Sequence, residues 1–294
     1  MVQKSNNRTY PLERSLFYRL KGKAKFERCV NIRWESIPKL LDTKHYRVWK
    51  NEKGREIQAP HGWLASIHKR IALLFSRIDL PSYVFSRKGV SYIDNARFHS
   101  ENGGLIKTDI CKYYKSISRK MVYNMFVDRF QCSLDIAGAL ADICCYNQQH
   151  LPTGSALSAS IAFWAKQRMF EEIDKVARVN GGKMSLYVDD ITISGCSAGS
   201  DVLVSVRNII AKNGLRTTNK KSRIFRSDEV KLVTGVILVD GVLKLPNARH
   251  LKIHQARVAV MKTEGVQRSQ ALRVLRGREI EAEQVSVKVN VVVR

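Results

Sequence analysis

Two adjacent aspartates, Asp189 and Asp190, lie between two short segments in which apolar and polar residues alternate, MSLYV before them and ITIS after them. Alternation with a period of two is typical of a β-strand with one buried face, so the pattern predicts an antiparallel hairpin with the acids near its turn. Neighbouring carboxylates repel each other and are costly to bury. Any fold of this chain therefore has to supply solvent or cations at the end of this hairpin.

A third acid ends another predicted strand. Asp109 closes the apolar segment GLIKTD, and the elements that follow are expected to be two helices, the hairpin, a helix and a last strand in KLVTGVILV (231–239). This order is typical of a split βαβ sheet of ferredoxin-like type, in which the first strand lies beside the central hairpin. We therefore expect Asp109 to meet Asp189 and Asp190 at one end of the sheet.

Three clustered carboxylates without a nearby His or Cys are oxygen-only ligands, which favour Mg²⁺. Two such ions can activate an attacking hydroxyl and stabilise a leaving pyrophosphate. For the Asp189–Asp190 pair alone, a solvated turn is the alternative interpretation. Asp109 is the residue that favours the metal site.

The charge distribution favours a polyanionic partner, with nucleic acid as the first candidate. The chain of 294 residues has 51 Lys and Arg against 26 Asp and Glu, a net charge of +25. The surplus is +13 in residues 1–100, +1 in 101–200 and +11 in 201–294. The six cysteines have no zinc-site spacing, and no segment has the apolar length of a membrane span. A cytoplasmic protein with reduced thiols and no membrane partner is expected.

Local patterns predict the remaining elements. Residues 1–45 suggest an amphipathic helix through Leu12, Leu16 and Leu20, and residues 46–60 read as strand, turn and strand. An apolar stripe predicts a helix over 64–78, and two basic helices are expected over 248–262 and 269–283. The last segment, 285–294, alternates like a strand.

Several of these segments together resemble the palm motifs of reverse transcriptases. The segments are DICKYYKSI around Asp109, LPTG before a helix, and YVDD after an alternating strand. NARFH (95–99) resembles the NAxxH box, and VTG (233–235) resembles a second box; the two together are diagnostic of bacterial retron reverse transcriptases. The resemblance covers roughly residues 10–260.

The resemblance implies an α+β right-hand polymerase fold. Its parts would be an N-terminal extension and fingers at 1–104, a ferredoxin-like palm at 105–240 and a short helical thumb at 241–294. Part of 118–150 is also compatible with the fingers.

For catalysis, the resemblance implies that Asp109 and Asp189 are the principal acids binding two Mg²⁺ ions and that Asp190 is the third. The main-chain carbonyl of Ile110 would also face a metal. Lys221 would protonate the departing pyrophosphate, with Lys220 as an alternative.

For binding of the dNTP substrate, the resemblance implies that Arg55 grips the triphosphate, with Lys50 as a weaker candidate, and that Gly154 contacts the nucleotide through its backbone. Tyr114 would be the steric gate that excludes ribonucleotides, and Tyr187 would pack near the primer end. An ordinary core tyrosine is the alternative for both tyrosines. Thr153 departs from the family pattern, which has a glutamine there that touches the nucleotide.

The implied activity is retron-type, RNA-directed DNA synthesis. The enzyme would copy part of its cognate noncoding RNA from a guanosine 2′-hydroxyl into a branched RNA–DNA product and act in antiphage defence. A separate RNase H and a separate effector protein are implied as partners. RNA-binding candidates are Asn95, His99, Thr234, Arg249, Lys252 and Arg257. The alternatives are another bacterial reverse transcriptase (of intron, diversity-generating or abortive-infection type) or a catalytically weakened RNA-binding scaffold.

Overall fold

The computed structural model describes residues 9–286 apart from 102, 196 and 197, and the chain divides into two compact units that are each interrupted in sequence. The first unit consists of residues up to 82, 110–172 and 209–216; the second consists of 83–109, 173–208 and the residues from 217 onward. Mixed helix and sheet is the α+β class expected from the sequence. The division at 104 and 240 stays a prediction.

The first unit begins with short helices and one hairpin. Its elements up to residue 82 are α1 (Lys23–Val30), α2 (Ile37–Leu40), β1 (Tyr46–Lys50), β2 (Glu56–Pro60) and α3 (Gly62–Phe75). The two strands pair antiparallel, as the strand–turn–strand pattern predicted. The prediction of an amphipathic helix through Leu12, Leu16 and Leu20 is wrong. A 3₁₀ turn covers only Leu12–Arg14, and the positive φ of 52° at Arg19 stops any helix from continuing.

In chain order, the second unit then contributes α4 (Tyr92–Phe98) and β3 (Gly104–Asp109). The first unit resumes with α5 (Tyr113–Ser116), α6 (Arg119–Asn124), a π-helical turn (Met125–Arg129) and α7 (Leu134–Cys144). Its core is a cluster of stacked and tilted rings, in which Phe75 lies with its ring centroid 4.9 Å from Phe17 and 5.3 Å from Phe130. Helix α8 (Ser158–Val179) runs from the first unit into the second and is kinked at Lys166.

The second unit is built on a four-stranded antiparallel sheet. After β3 come β4 (Gly182–Tyr187), β5 (Asp190–Gly195), helix α9 (Ser200–Lys212), which ends in the first unit, and β6 (Arg223–Phe225). The strand order is β4-β5-β3-β6, so the first strand lies beside the central hairpin, as predicted for a split βαβ sheet.

The predicted last strand of that sheet is corrected. Segment 231–239 forms two strands, β7 (Lys231–Val233) and β8 (Val236–Val239), which pair with β9 (Val242–Lys244) in a separate sheet. The reason is the break at Thr234 and Gly235, whose φ values of 44° and 85° turn the chain back on itself. The short β6 takes the edge position instead.

Two helices close the second unit, α10 (Asn247–Met261) and α11 (Gly265–Ser286), in agreement with the predicted basic helical element. Val285 near the end of α11 packs in a core with residues of α4, β3, β6, β7 and β8: Ile93, Ala96, Leu105, Phe225, Val233 and Val236. Val285 and Ser286, predicted to begin a strand, are helical, and residues 287–294 of that prediction lie outside the described residues. No described helix has both the length and the apolar character that crossing a membrane demands.

Candidate active site

The three acids predicted from the sequence lie at one end of the four-stranded sheet. Asp109, the last residue of β3, is directly opposite Asp190, the first residue of β5. Tyr187 pairs with Asp190 across the hairpin, so Val188 and Asp189 form a two-residue turn. Because directly paired residues of an antiparallel ladder share one face of the sheet, the side chains of Asp109 and Asp190 lie on the same face. The prediction that folding gathers these acids is confirmed.

The hairpin turn is strained at its first residue. Val188 has a φ of 62°, a left-handed conformation that is costly for a β-branched side chain. Glycine, asparagine or aspartate are the usual residues at such a position. Pairing of the two strands holds this turn in place, with Asp189 next to Asp190 and its partner Asp109.

Two lysines neutralise part of this negative charge. The Lys221 ammonium donates to Oδ2 of Asp109, and Lys107 Nζ lies 3.4 Å from Oδ2 of Asp190. The sequence interpretation missed Lys107, although a spacing of two from Asp109 on one strand already indicated a shared face. Lys221, predicted to act on pyrophosphate, thus lies at the carboxylate cluster.

The carboxylates retain capacity for a cation. Oδ1 of Asp109 is buried and has no hydrogen-bond partner among the described residues, and the residue as a whole is 3% exposed. The pKa of Asp189 is raised to about 6, first by burial and then by the negative charges of Asp190 and Asp109. In the described part of the chain, no group of three or more Asp, Glu, His or Cys side chains is arranged so that it could hold a metal ion as it stands. A buried oxygen without a partner and a cluster of repelling carboxylates nevertheless fit a hard divalent cation.

Arg55, which is predicted to bind the triphosphate, belongs to the first unit. It is exposed at the end of the β1–β2 turn, where Oδ1 of Asn51 accepts hydrogen bonds from the N–H groups of Lys53 and Arg55, both at 3.0 Å. Lys50, the weaker candidate, is also exposed. The turn therefore presents basic side chains to solvent on a fixed backbone.

The structure distinguishes the two neighbouring tyrosines of the KYYKSI segment. Tyr113 is buried, with its ring centroid 6.4 Å from that of Phe170, whereas Tyr114 is half-buried. Tyr113 is therefore a core residue, whereas Tyr114 is partly exposed, and its role as steric gate stays a prediction. Ile110, before this segment, is buried.

Gly154 approaches the backbone of β2 closely. Its N–H donates to the Gln58 carbonyl at 3.0 Å, and a Cβ built on it would lie 2.9 Å from Ile57 Cγ2 and 3.0 Å from Ala59 Cβ. No side chain fits there without displacing the strand, which is why this position requires glycine. Thr153, which departs from the family pattern, has its hydroxyl bonded to the backbone of β2.

The two boxes that suggested a retron enzyme are in contact with each other inside the second unit. Asn95 Nδ2 donates to Thr234 Oγ1 at 3.4 Å, and the Thr234 hydroxyl donates to the Tyr92 carbonyl at 2.7 Å. Asn95 and His99 are each 1% exposed. The prediction that these two side chains touch RNA is therefore revised, because their burial makes them internal links of the fold.

His99 ties α4 to the hairpin that carries the acids. Its Nδ1 lies 2.6 Å from Ser194 Oγ on β5, and its Nε2 lies 2.7 Å from Ser185 Oγ on β4. Burial lowers the pKa of His99 to about 3, with a smaller contribution from the positive charge of Lys183. The imidazole is therefore neutral at physiological pH, with one ring nitrogen donating and the other accepting.

Replacing His99 by glutamine tests this link through the pH dependence of stability. Below pH 6.5 the unfolded chain protonates this histidine and the folded chain does not, so the stability of the wild type falls as the pH falls towards 3. The slope from this residue is about 1.4 kcal/mol per pH unit. Urea unfolding should show that the wild type loses about 1.6 kcal/mol more than His99→Gln between pH 6.5 and 5, because the full slope is reached only well below pH 6.5. Parallel pH profiles for the two proteins would contradict this assignment.

The three basic candidates on α10 differ in their surroundings. Arg249 pairs with Glu281 at 2.9 Å, Arg257 pairs with Glu279 at 2.8 Å, and both glutamates lie on α11. Lys252 is exposed and has no ion pair among the described residues. Lys252 is therefore the candidate with an uncommitted charge, while the two arginines also hold the helix pair together.

A comparison with known families decides the identity. The family described as reverse transcriptase (RNA-dependent DNA polymerase) matches residues 51–238, which contain strand β2, the β4–β5 hairpin and all three acids. The chain belongs to the reverse transcriptase family. The prediction from the motif order is confirmed. Reverse transcriptases generally use a divalent metal, and the carboxylate oxygens of this reverse transcriptase are ligands of the kind that such a metal prefers.

Two relatives are retron reverse transcriptases. The chain is 30% identical over 230 residues to the retron Se72 reverse transcriptase of Salmonella heidelberg (strain 579083-10), covering 72% of this chain and 59% of the relative. It is 23% identical over 198 residues to the retron Ec48 reverse transcriptase of Escherichia coli, covering 60% of this chain and 48% of the relative. The chain thus spans about half to three-fifths of the length of these relatives. They support the retron resemblance of this reverse transcriptase.

Proposed function

We propose that this reverse transcriptase is an RNA-directed DNA polymerase of retron type. It copies part of a cognate noncoding RNA into single-stranded DNA that stays joined to the RNA through a guanosine 2′-hydroxyl. The observation that carries the proposal is the register of β3 and β5, which sets Asp109 opposite Asp190 beside Asp189 in a chain of this family. Similarity to two retron enzymes supports the retron type.

In this proposal, Asp109, Asp189 and Asp190, with the main-chain carbonyl of Ile110, hold two Mg²⁺ ions. The partnerless Oδ1 of Asp109 and the repulsion that raises the pKa of Asp189 support cation binding. Bound Mg²⁺ lowers the pKa of an attacking hydroxyl and stabilises the negative charge of the leaving pyrophosphate. The protein's own contribution is to hold the carboxylates in place through the sheet register and the strained turn.

The other site residues bind and orient the substrates. Arg55 pairs bidentately with the triphosphate, and Gly154 contacts the nucleotide through its backbone. Tyr114 crowds the sugar 2′ position, and Tyr187 packs near the primer end. Lys221 exchanges its contact with Asp109 for the pyrophosphate oxygen that it protonates.

RNA binding is assigned to the basic surface of the chain. Arg249, Lys252 and Arg257 on α10 would contact RNA phosphates, and the net charge of +25 favours such contacts. We propose that fingers, palm and thumb correspond to 1–104, 105–240 and 241–294. The retron type further implies a separate RNase H, a separate effector protein and a role in antiphage defence.

Primer extension on an RNA template tests the polymerase, and product chemistry tests the retron type. With Mg²⁺ and dNTPs, we expect incorporation that is lost on addition of EDTA. DNA isolated with the protein from its host should stay attached to a guanosine 2′ position after RNase digestion. Linear product alone would indicate another kind of bacterial reverse transcriptase. RNA binding without incorporation would indicate a catalytically weakened scaffold.

A further inference from the structure

The hydroxyl of Thr153 fastens the loop before α8 to strand β2. Thr153 Oγ1 donates to the Glu56 carbonyl at 2.9 Å and accepts from the Gln58 N–H at 3.0 Å. A threonine hydroxyl has one proton, and this one is used within the protein. Thr153 is therefore committed to the backbone of β2 and does not donate to a ligand.

The next residue continues the attachment. Gly154 N–H donates to the Gln58 carbonyl, so three hydrogen bonds join two consecutive loop residues to Glu56 and Gln58. Because a Cβ at Gly154 has no room against β2, the loop backbone and the strand are in direct contact. The bonds of Thr153 thus fix where the backbone of Gly154 lies.

The loop is also held from its other side. His68 Nε2 lies 2.8 Å from the Ile143 carbonyl, which can only accept, so Nε2 carries the ring proton. Burial lowers the pKa of His68 to about 4, and the ring is therefore neutral. Its Nδ1 must then accept from the Ser155 hydroxyl, 2.7 Å away. Residues 153–155 are consequently held between β2 and α3.

Strand β2 connects this loop to the other proposed nucleotide contacts. Glu56 follows Arg55 directly, and its Oε1 accepts from Lys115 Nζ at 2.8 Å, where Lys115 follows Tyr114. Glu56 is thus bonded to the loop through its carbonyl and to the Tyr114 segment through its carboxylate. One residue links the segments that carry Arg55, Tyr114 and Gly154.

We propose that Thr153 is a positioning residue for the incoming nucleoside triphosphate, acting through the backbone of Gly154 and strand β2 rather than by touching the nucleotide. This inference rests on the proposed polymerase function. Removing its hydroxyl leaves only the Gly154–Gln58 hydrogen bond of the three, which loosens the position of Gly154 relative to β2, so nucleotide binding weakens while the chemical step is preserved.

Steady-state incorporation on an RNA template with a DNA primer, varied in dNTP concentration, tests the proposal. Thr153→Val keeps the shape of the side chain and removes both hydrogen bonds; we expect the KM for dNTP to rise about tenfold with kcat within about threefold of wild type. Thr153→Ser keeps the hydroxyl and should restore KM to within about twofold. Thr43→Val makes the same chemical change at an exposed position and is the matched control.

The outcomes separate this inference from the function on which it rests. No incorporation by the wild type overturns both. Normal wild-type kinetics with an unchanged KM in Thr153→Val overturns the positioning role alone. A fall in kcat and thermal stability at constant KM also overturns it, because a merely structural role reduces the amount of folded enzyme without altering nucleotide affinity.

Discussion

Replacing Asp189 by asparagine should abolish DNA synthesis and at the same time stabilise the metal-free protein. Loss of one of the carboxylates proposed to bind metal is expected to lower kcat by at least about a thousandfold. The stability effect has the opposite sign because the fold raises the pKa of Asp189 to about 6, which means that its ionised form is disfavoured in the folded state at neutral pH. Asparagine removes this charge at nearly constant shape, for a gain of about 1–3 kcal/mol.

Two measurements check this result. Primer extension gives the activity, and urea unfolding at pH 7.5 with EDTA and with Mg²⁺ gives the stability. Mg²⁺ should stabilise the wild type and leave Asp189→Asn almost unaffected, so that the difference between them shrinks or reverses. Asp128→Asn is the control, since Asp128 is an exposed acid outside the carboxylate cluster. A variant that still synthesises DNA, or that is less stable than wild type without metal, would show that the charges at the hairpin do not repel as described.

Replacing Tyr114 by alanine should let the enzyme accept ribonucleotides. Tyr114 is half-buried, and under the proposed gate role its ring crowds the sugar 2′ position, so truncating it would open space for a 2′-hydroxyl. We expect the preference for dNTP over rNTP, expressed as a ratio of kcat/KM, to fall about a hundredfold, chiefly through faster use of rNTP.

The adjacent tyrosine supplies the control for the gate. Tyr113 packs in the core against Phe170, and Tyr113→Phe keeps that ring. Sugar selection should be unchanged in Tyr113→Phe when dATP and ATP compete on the same template. If Tyr114→Ala and the wild type showed the same preference for dNTP over rNTP, Tyr114 would not be the steric gate.

The parts of this fold that the sequence predicted are those set by local patterns. The β1–β2 and β4–β5 hairpins follow from strand-like segments on either side of a turn, and helix α3 follows from its apolar stripe. The meeting of Asp109 with Asp190 followed from strand order, because a split βαβ sheet leaves few ways to place the first strand.

The remaining features depend on contacts between residues far apart in sequence. Strand β6 has three residues, too few for a periodic pattern, so the sequence instead favours the longer apolar segment 231–239 as the closing strand. The Thr153 hydroxyl is engaged by the backbone of β2, where its partner Gln58 lies 95 residues earlier in the sequence. Likewise, Lys221 reaches Asp109 across 112 positions, and only the folded sheet brings the two together.

The left-handed backbone at Val188 has a consequence for how the site forms. Isolated, this turn would unwind, since valine resists the conformation that the hairpin imposes. Pairing of Tyr187 with Asp190, and of Asp190 with Asp109, is what holds it. We therefore expect the carboxylate cluster to assemble only once β3 has paired with β5, so that binding of the proposed divalent cations would report completed folding.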